Sequence, residues 1–490
     1  MQKEQDLQKV LKLRDAILSG DETRLKQQKD LGKLTARDRI AKIADAGSFV
    51  ELFALVSNKE EGAGVITGYI TIDSRPVYLF AQDFTVHGGA MGVLQAKKIV
   101  KLLDMAQKNG APVLALLDSA GVRINEGACA MSAYSEIYNK MAKLSGVCPM
   151  VAVVLGPCIG GAALISQLAD VTIMAEKVGT LMVYGPQVMA ALNHKPVNAE
   201  TFGGAKVAAE MGSCALTASN EEEAFVQAKT LLSYLPSSNL EDTEIVDGDN
   251  MNRLLGDVNV SDVDALFAAY ADNGVVMELY ASYENSMRVA LARMGGRTVG
   301  LVSANGTLTA GAMQKAARFV RFMDCYNIPV VSFLNTNGVE LNNASQQAWL
   351  LKAQSQLLYA FAEATTAKIT LVTGDAIGQA YVAMGGLSNA DMTYALPGAV
   401  ISTLTPEAAV AVLYGKEVIA DKNISVEDAR AKYAAVYVDE VANAVNAATA
   451  GMIDDVIEPA QSRIMLISAL EMLASKRDSN PPKKHGNIPM

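Results

Sequence analysis

The chain has 490 residues, half of them hydrophobic and 19% charged, with a formal net charge of −10. That length holds two or three domains with large cores, and the composition is that of a globular chain and not a disordered one. The acidic balance, with no basic stripe or interleaved aromatics, argues against non-specific nucleic-acid binding. Five scattered cysteines (129, 148, 158, 214 and 325), odd in number and without a CxxC pair, predict reduced thiols and a cytoplasmic setting. The three histidines (87, 194 and 485) stand at no metal-ligand spacing, so no metal is expected. The opening "MQKEQDLQKVLKLRD" is charged and helical in pattern and has no apolar signal region.

In chain order, residues 1–45 read as helices. "LTARDRIAKIADAGSF" carries a capping-box pattern from Thr35 to Asp38, with Gly47 as the stop. From 62 to 86 the pattern alternates like antiparallel strands joined at Asp73-Ser74. After "HGGAMG" come an amphipathic helix, "VLQAKKIVKLLDMAQKNG", and a buried strand, "PVLALLD". This rhythm continues and predicts α/β layers with short crossovers. From Leu144 to Ala169 there is no charged residue, a length that spans a bilayer. Pro149, Pro157 and Gly160-Gly161 would break such a span, and no second one follows. The segment is therefore read as a strand, a glycine turn and a buried helix, with no membrane insertion.

The chain also resembles itself. "NGAPVLALLDSAGVRIN" (109–125) is similar to "YNIPVVSFLNTNGVELN" (326–342), and "SGVCPMVAVVLGPCIGGAAL" (145–164) to "ATTAKITLVTGDAIGQAYVA" (364–383). "LADVTIM" (168–174) is similar to "NADMTYA" (389–395), in the same order. Gly121 and Gly160 are 39 residues apart, and Gly338 and Gly378 are 40 apart. The reading is two copies of one fold, 1–245 and 260–490, joined through "PSSNLEDTEIVDGDNMN" (236–252).

Each copy thus has a strand ending at Gly-Val (121–122, 338–339) and, about forty residues on, a strand whose glycine turn opens a helix (160–161, 378–380). Such turns offer free N–H groups, and two side by side make an oxyanion hole. "GAGVITG" (62–68) is followed by strand-like residues and is read as a hairpin turn, not a dinucleotide site. "GLSNA" (386–390) lacks a following helix and is read as a loop. An enzyme of this kind works through backbone donors, with a cofactor supplying the hard chemistry.

These residues match a known family. "LTARDRIAKIADAGSFVEL", "GAGVITGYITID", "AQDFTVHGGAMG", "AKKIVKLLDMAQKNGAPVLALLDSAGVRINEG", "GPCIGGAA" and "LLSYLPSSN" carry the resemblance in the first half. "KAARFVRFMDCYNIPVV", "YAFAEATTAKIT", "AYVAMG" and "YALPGAVISTLTPEAAVAVLYGKE" carry it in the second. The chain resembles the carboxyltransferase (β) subunit of biotin-dependent acyl-CoA carboxylases. It equally resembles the α subunit of biotin-dependent decarboxylases of the methylmalonyl-CoA or glutaconyl-CoA type. The resemblance implies two tandem crotonase-like α/β domains and a homohexamer built as a dimer of trimers. It implies an active site where the first half of one subunit faces the second half of another. It implies an acetyl-, propionyl- or methylmalonyl-CoA class substrate and carboxybiotin on a separate carrier protein. Partners would be a biotin carboxyl carrier protein and a biotin carboxylase, or membrane decarboxylase subunits. The first half would stabilise a thioester enolate through Gly160, Gly161, Gly121 and Val122. The second half would stabilise a biotin enolate through Gly378, Gln379, Ala380, Gly338 and Val339. Gly88, Gly89, Arg123 and Val382 fall among substrate-binding positions; for Arg123 and Lys97, CoA phosphate and a structural salt bridge are both open. The second half departs from the family at 335–344, "NTNGVELNNA", and at 377–381, "IGQAY", where Gln379 replaces a glycine. Val382 stands where propionyl-preferring members carry Asp, as in decarboxylase-type and acetyl-tolerant members. A sodium-pumping decarboxylase subunit and a non-catalytic assembly subunit are the alternatives.

Overall fold

The computed structural model describes residues 2–58, 61–340, 344–421 and 423–489. The chain divides into two compact units, residues 1–242 and 243–490.

The first unit opens with three helices, α1 (Gln2–Ser19), α2 (Glu22–Asp30) and α3 (Ala36–Ile43). The Thr35–Asp38 capping box is formed. The helix ends at Ile43 and not at Gly47: Ala44 turns extended, and Asp45 is drawn into the next hairpin, where its carboxylate accepts from Thr71 and from the Asp73 and Ser74 amides. The sheet comprises β1 (Val50–Leu52), β2 (Val65–Ile72), β3 (Arg75–Gln82), β4 (Val113–Ser119), β5 (Met150–Ile159), β6 (Val171–Ala175), β7 (Thr180–Met182) and β8 (Leu216–Ala218). Its order is β1-β2-β3-β4-β5-β6-β8, with β7 paired to the end of β5. β2 and β3 are antiparallel through positive-φ Asp73 and Ser74; from β3 onward the pairs are parallel. Parallel neighbours need crossovers. Helices α4 (Val93–Asn109) and α5 (Ala128–Leu144) provide them around β4, and α6 (Gly161–Leu168) follows β5. β4 and most of β5 are buried along their length, which explains their apolar sequence, Asp118 near the end of β4 excepted.

The second unit repeats this. Strands β9 (Val276–Leu279), β10 (Met287–Met294), β11 (Arg297–Leu308), β12 (Val330–Val339), β13 (Lys368–Ile377), β14 (Met392–Ala395), β15 (Val400–Ser402) and β16 (Asp455–Val456) run in the order β9-β10-β11-β12-β13-β14-β16, with β15 on β13. Helices α7 (Ala310–Cys325), α8 (Ala344–Glu363) and α9 (Gln379–Met384) stand where α4, α5 and α6 stand. Strand for strand, the internal duplication and the two crotonase-like α/β folds are present. The 236–252 segment is irregular but fastened: Asn239 N–H donates to Val147 O, Val246 N–H to Gly296 O, and Arg463 to Asn250 O. The C-terminal segment lies along α8, where Gln356 donates to Pro489 O and Lys483 pairs with Glu363. None of the five cysteines, all of them described, is joined in a disulfide, and no described helix is long and apolar enough to cross a membrane.

Candidate active site

Both glycine turns of the first unit lie at the same end of β4 and β5. Gly121 (φ +109°) is packed against Ile159, the residue before Gly160; a Cβ there would lie 3.3 Å from the Ile159 carbonyl oxygen. In the second unit Gly338 (φ +102°) faces Ile377, the residue before Gly378, in the same way. Gly160 (φ 59°, ψ −121°) and Gly378 (φ 64°, ψ −133°) share a conformation that side-chain-bearing residues rarely adopt. The structure thus brings the predicted turns together in pairs, twice.

Four of the nine candidate amides are used within the fold. Gly160 N–H donates to Met182 O and Gly378 N–H to Ser402 O, each at 2.8 Å. Gly121 N–H donates to Ser119 Oγ and Gly338 N–H to Thr336 Oγ1, each at 3.2 Å. These bonds lash the turns to β7 and β15 and to the hydroxyl two residues upstream. The neighbours are left to act. Val122 lies opposite Met91, which bonds Gly121 O and the Arg123 amide, so Val122 N–H points away from that strand. Val339 stands opposite Leu308 in the same way, with Glu340 N–H on Leu308 O. Gly161 opens α6, and Gln379 and Ala380 open α9, where first-turn amides have no intrahelical acceptor. The donor pairs are therefore Val122 with Gly161, and Val339 with Gln379, the last flanked by Ala380.

The other named residues act differently. Gly88 and Gly89, both at positive φ, bring 87–91 against the 118–122 loop: Ala120 N–H donates to Gly88 O, and a Cβ on Gly89 would lie 2.2 Å from Asp118 O. Arg123 is buried, donating to Ala90 O and Ala63 O with its guanidinium near Glu126, which supports the structural reading. Val382 is exposed on α9. Residues 341–343 of the departing loop lie outside the described residues; 335–339 complete β12.

Sequence reasoning missed what stands behind the first turn. Asp118 is buried and paired with Lys33 at 2.7 Å and Arg39 at 2.8 Å; Arg39 also grips Glu221 and the Leu155 carbonyl. Burial pushes the Lys33 ammonium below its usual value against the pull of Asp118. A Cβ on Gly156 would strike the Asp118 carboxylate at 2.0 Å. In the second unit a neutral Asn335 takes this place beside Gly374, donating to Asn305. A cavity of about 230 Å³ borders the second pair, lined by Leu308, Val339, Leu351, Gln354, Leu358 and Gln379 among others, none of them charged. Among the described residues no group of three or more His, Cys, Asp or Glu is gathered as a metal site.

Residues 27–488 match the carboxyl transferase domain family. The chain is 39% identical to the methylmalonyl-CoA decarboxylase α subunit of Veillonella parvula, over 98% of this chain and 97% of that one. It is 35% identical to the propionyl-CoA carboxylase β chain of Saccharopolyspora erythraea, over 97% and 94%. It also resembles the solved transcarboxylase 12S hexamer with methylmalonyl-CoA bound, at a TM-score of 0.92 and 35% identity, over 99% of this chain and 98% of that one.

Proposed function

The chain belongs to the carboxyl transferase domain family and is an acyl-CoA carboxyltransferase, and from that premise we propose how its two turn pairs divide the reaction. The first unit holds a short-chain acyl-CoA of the acetyl, propionyl or methylmalonyl class, its thioester oxygen between the Val122 and Gly161 amides. Carboxybiotin, brought by a separate carrier protein, supplies the carboxyl group and a site for the α-proton. As the α-carbon loses its proton, or its carboxylate in the reverse sense, negative charge moves onto the thioester oxygen, and fixed amides meet it there. Each good donor of this kind contributes about 2.7–4 kcal/mol to the transition state.

In the second unit the Val339 and Gln379 amides would hold the ureido carbonyl, with Ala380 beside them. The cavity fits such a head. It is uncharged and mostly apolar, with Gln354, Ser355 and Gln379 in its lining. It is smaller than the ~300–1,000 Å³ of whole-ligand pockets, so it suits a compact neutral ring and not a nucleotide. The observation that carries the reading is the duplicated turn pair, with two amides of the first and three of the second left to act.

Relatives that carboxylate and relatives that decarboxylate both match the chain end to end. Two oxyanion holes serve both directions, because the same transition state is crossed either way. We propose a homohexamer like the 12S core, served by a biotin carboxyl carrier protein and a biotin carboxylase, or by membrane decarboxylase subunits. The purified chain with biotinylated carrier, or with free biotin, should decarboxylate malonyl-CoA or methylmalonyl-CoA. Absence of turnover with both compounds overturns the reading.

A further inference from the structure

α5 presents Tyr134 and Tyr138 beneath the first turn, one helical turn apart and therefore on one face. Their rings stack 5.7 Å apart at 17°. The Tyr138 hydroxyl donates to the Gly161 carbonyl at 2.9 Å and so pins the 161–162 peptide. Tyr134 is 7% exposed and fills the space where a side chain at 161 would go; a Cβ there would lie 2.5 Å from its Cζ. The Ala162 amide approaches its buried hydroxyl outside strict hydrogen-bonding geometry.

The duplicated unit provides an internal control. Buried residues of α5 and α8 correspond in constant register: Ala130 with Leu350, Ala133 with Ala353, Ile137 with Leu357 and Met141 with Phe361. Tyr134 and Tyr138 therefore correspond to Gln354 and Leu358. Neither tyrosine is kept, yet Gly378 adopts the conformation of Gly160. The turn does not need the tyrosines to form. In the second unit Gln354 and Leu358 line the open cavity instead.

Building on the carboxyl-transfer reading, we propose that Tyr134 and Tyr138 are positioning residues of the acyl-side hole. The Tyr138 hydroxyl, through the Gly161 carbonyl, and the Tyr134 ring, against the Gly161 Cα, fix Gly161 itself so that its N–H, which belongs to the preceding 160–161 peptide, meets the developing oxyanion. They also fill the volume that the second unit leaves open for a ligand. Small misplacement of a reacting group costs up to about 10²-fold in rate, so a held peptide serves the reaction even though no tyrosine touches it.

Tyr138→Phe keeps the ring stack and removes one neutral hydrogen bond. That bond's ordinary worth predicts a fall in kcat of roughly 3–10-fold, with KM for acyl-CoA unchanged. Amide hydrogen exchange over 160–165 should speed up in the same variant. Unchanged kcat, a raised KM at unchanged kcat, or unchanged exchange overturns the proposal. Replacing the pair by its second-unit counterparts (Y134Q with Y138L) should cost more in kcat than Y138F alone; an equal or smaller loss in a folded variant also overturns it. The exchange measurement needs no turnover. A wild-type protein that transfers no carboxyl group therefore defeats the functional reading and leaves the effect of Tyr138 on Gly161 readable.

Discussion

Two lysines show what burial does to a single side chain. Lys98 is almost wholly buried and donates to the Val65 carbonyl at 2.8 Å; Lys315, its counterpart, donates to the Tyr280 and Tyr283 carbonyls. Desolvation pushes each down to about 8. Folded below an unfolded value near 10.5, such a group opposes folding while both states are protonated. The opposition is relieved as pH rises from about 8 toward 10.5. Relative to Lys98→Met, the wild-type protein should therefore gain about 1–2 kcal/mol of stability between pH 7.5 and 9.5, read from urea midpoints. A difference that stays flat across that range would contradict the assignment. Nothing in "AKKIVKLL" marks Lys98 apart from its neighbours, because the charge lands in the core only through the sheet packed on α4.

At the scale of elements, the ends of β4 and β12 differ in what backs them. Asp118 carries two buried cations, whereas Asn335 carries none and donates to Asn305. Asp118→Asn would make the first unit imitate the second while leaving Lys33 and Arg39 underpaired, and should cost about 3 kcal/mol or more. Denaturant unfolding checks this; a neutral result would mean that Glu221 and the Leu155 carbonyl suffice for Arg39. The glycine turns were legible because a positive φ favours glycine, so backbone shape wrote itself into residue type at Gly121, Gly160, Gly338 and Gly378. Which amides stay free was not legible. It depends on Met182 and Ser402, some twenty residues downstream, whose side chains play no part in the bond. Ser119 and Thr336, hydroxyls two residues before a glycine in both copies, were a readable signal that went unused. Tyr134 and Tyr138 stand on the core side of an amphipathic helix, and only their contact with Gly161 sets them apart from its other core residues.

At the scale of the whole molecule, each unit has its own sheet and leaves large apolar side chains uncovered. Ile124, Val183 and Leu192 are exposed in the first, and Val412 and Ile419 in the second. Native mass measurement should find six times the 51.8 kDa of one chain, and a fully active monomer would refute the assembly. The duplication was readable across the chain because hydrophobic pattern and glycine placement survive where identity does not. On the proposed reading the donors at both holes are peptide groups, and a peptide group neither gains nor loses a proton anywhere near neutrality. Whatever acidity profile the turnover shows must then originate in the thioester, the carrier-borne reactant or the integrity of the fold, and not in the atoms that grip the reacting oxygens.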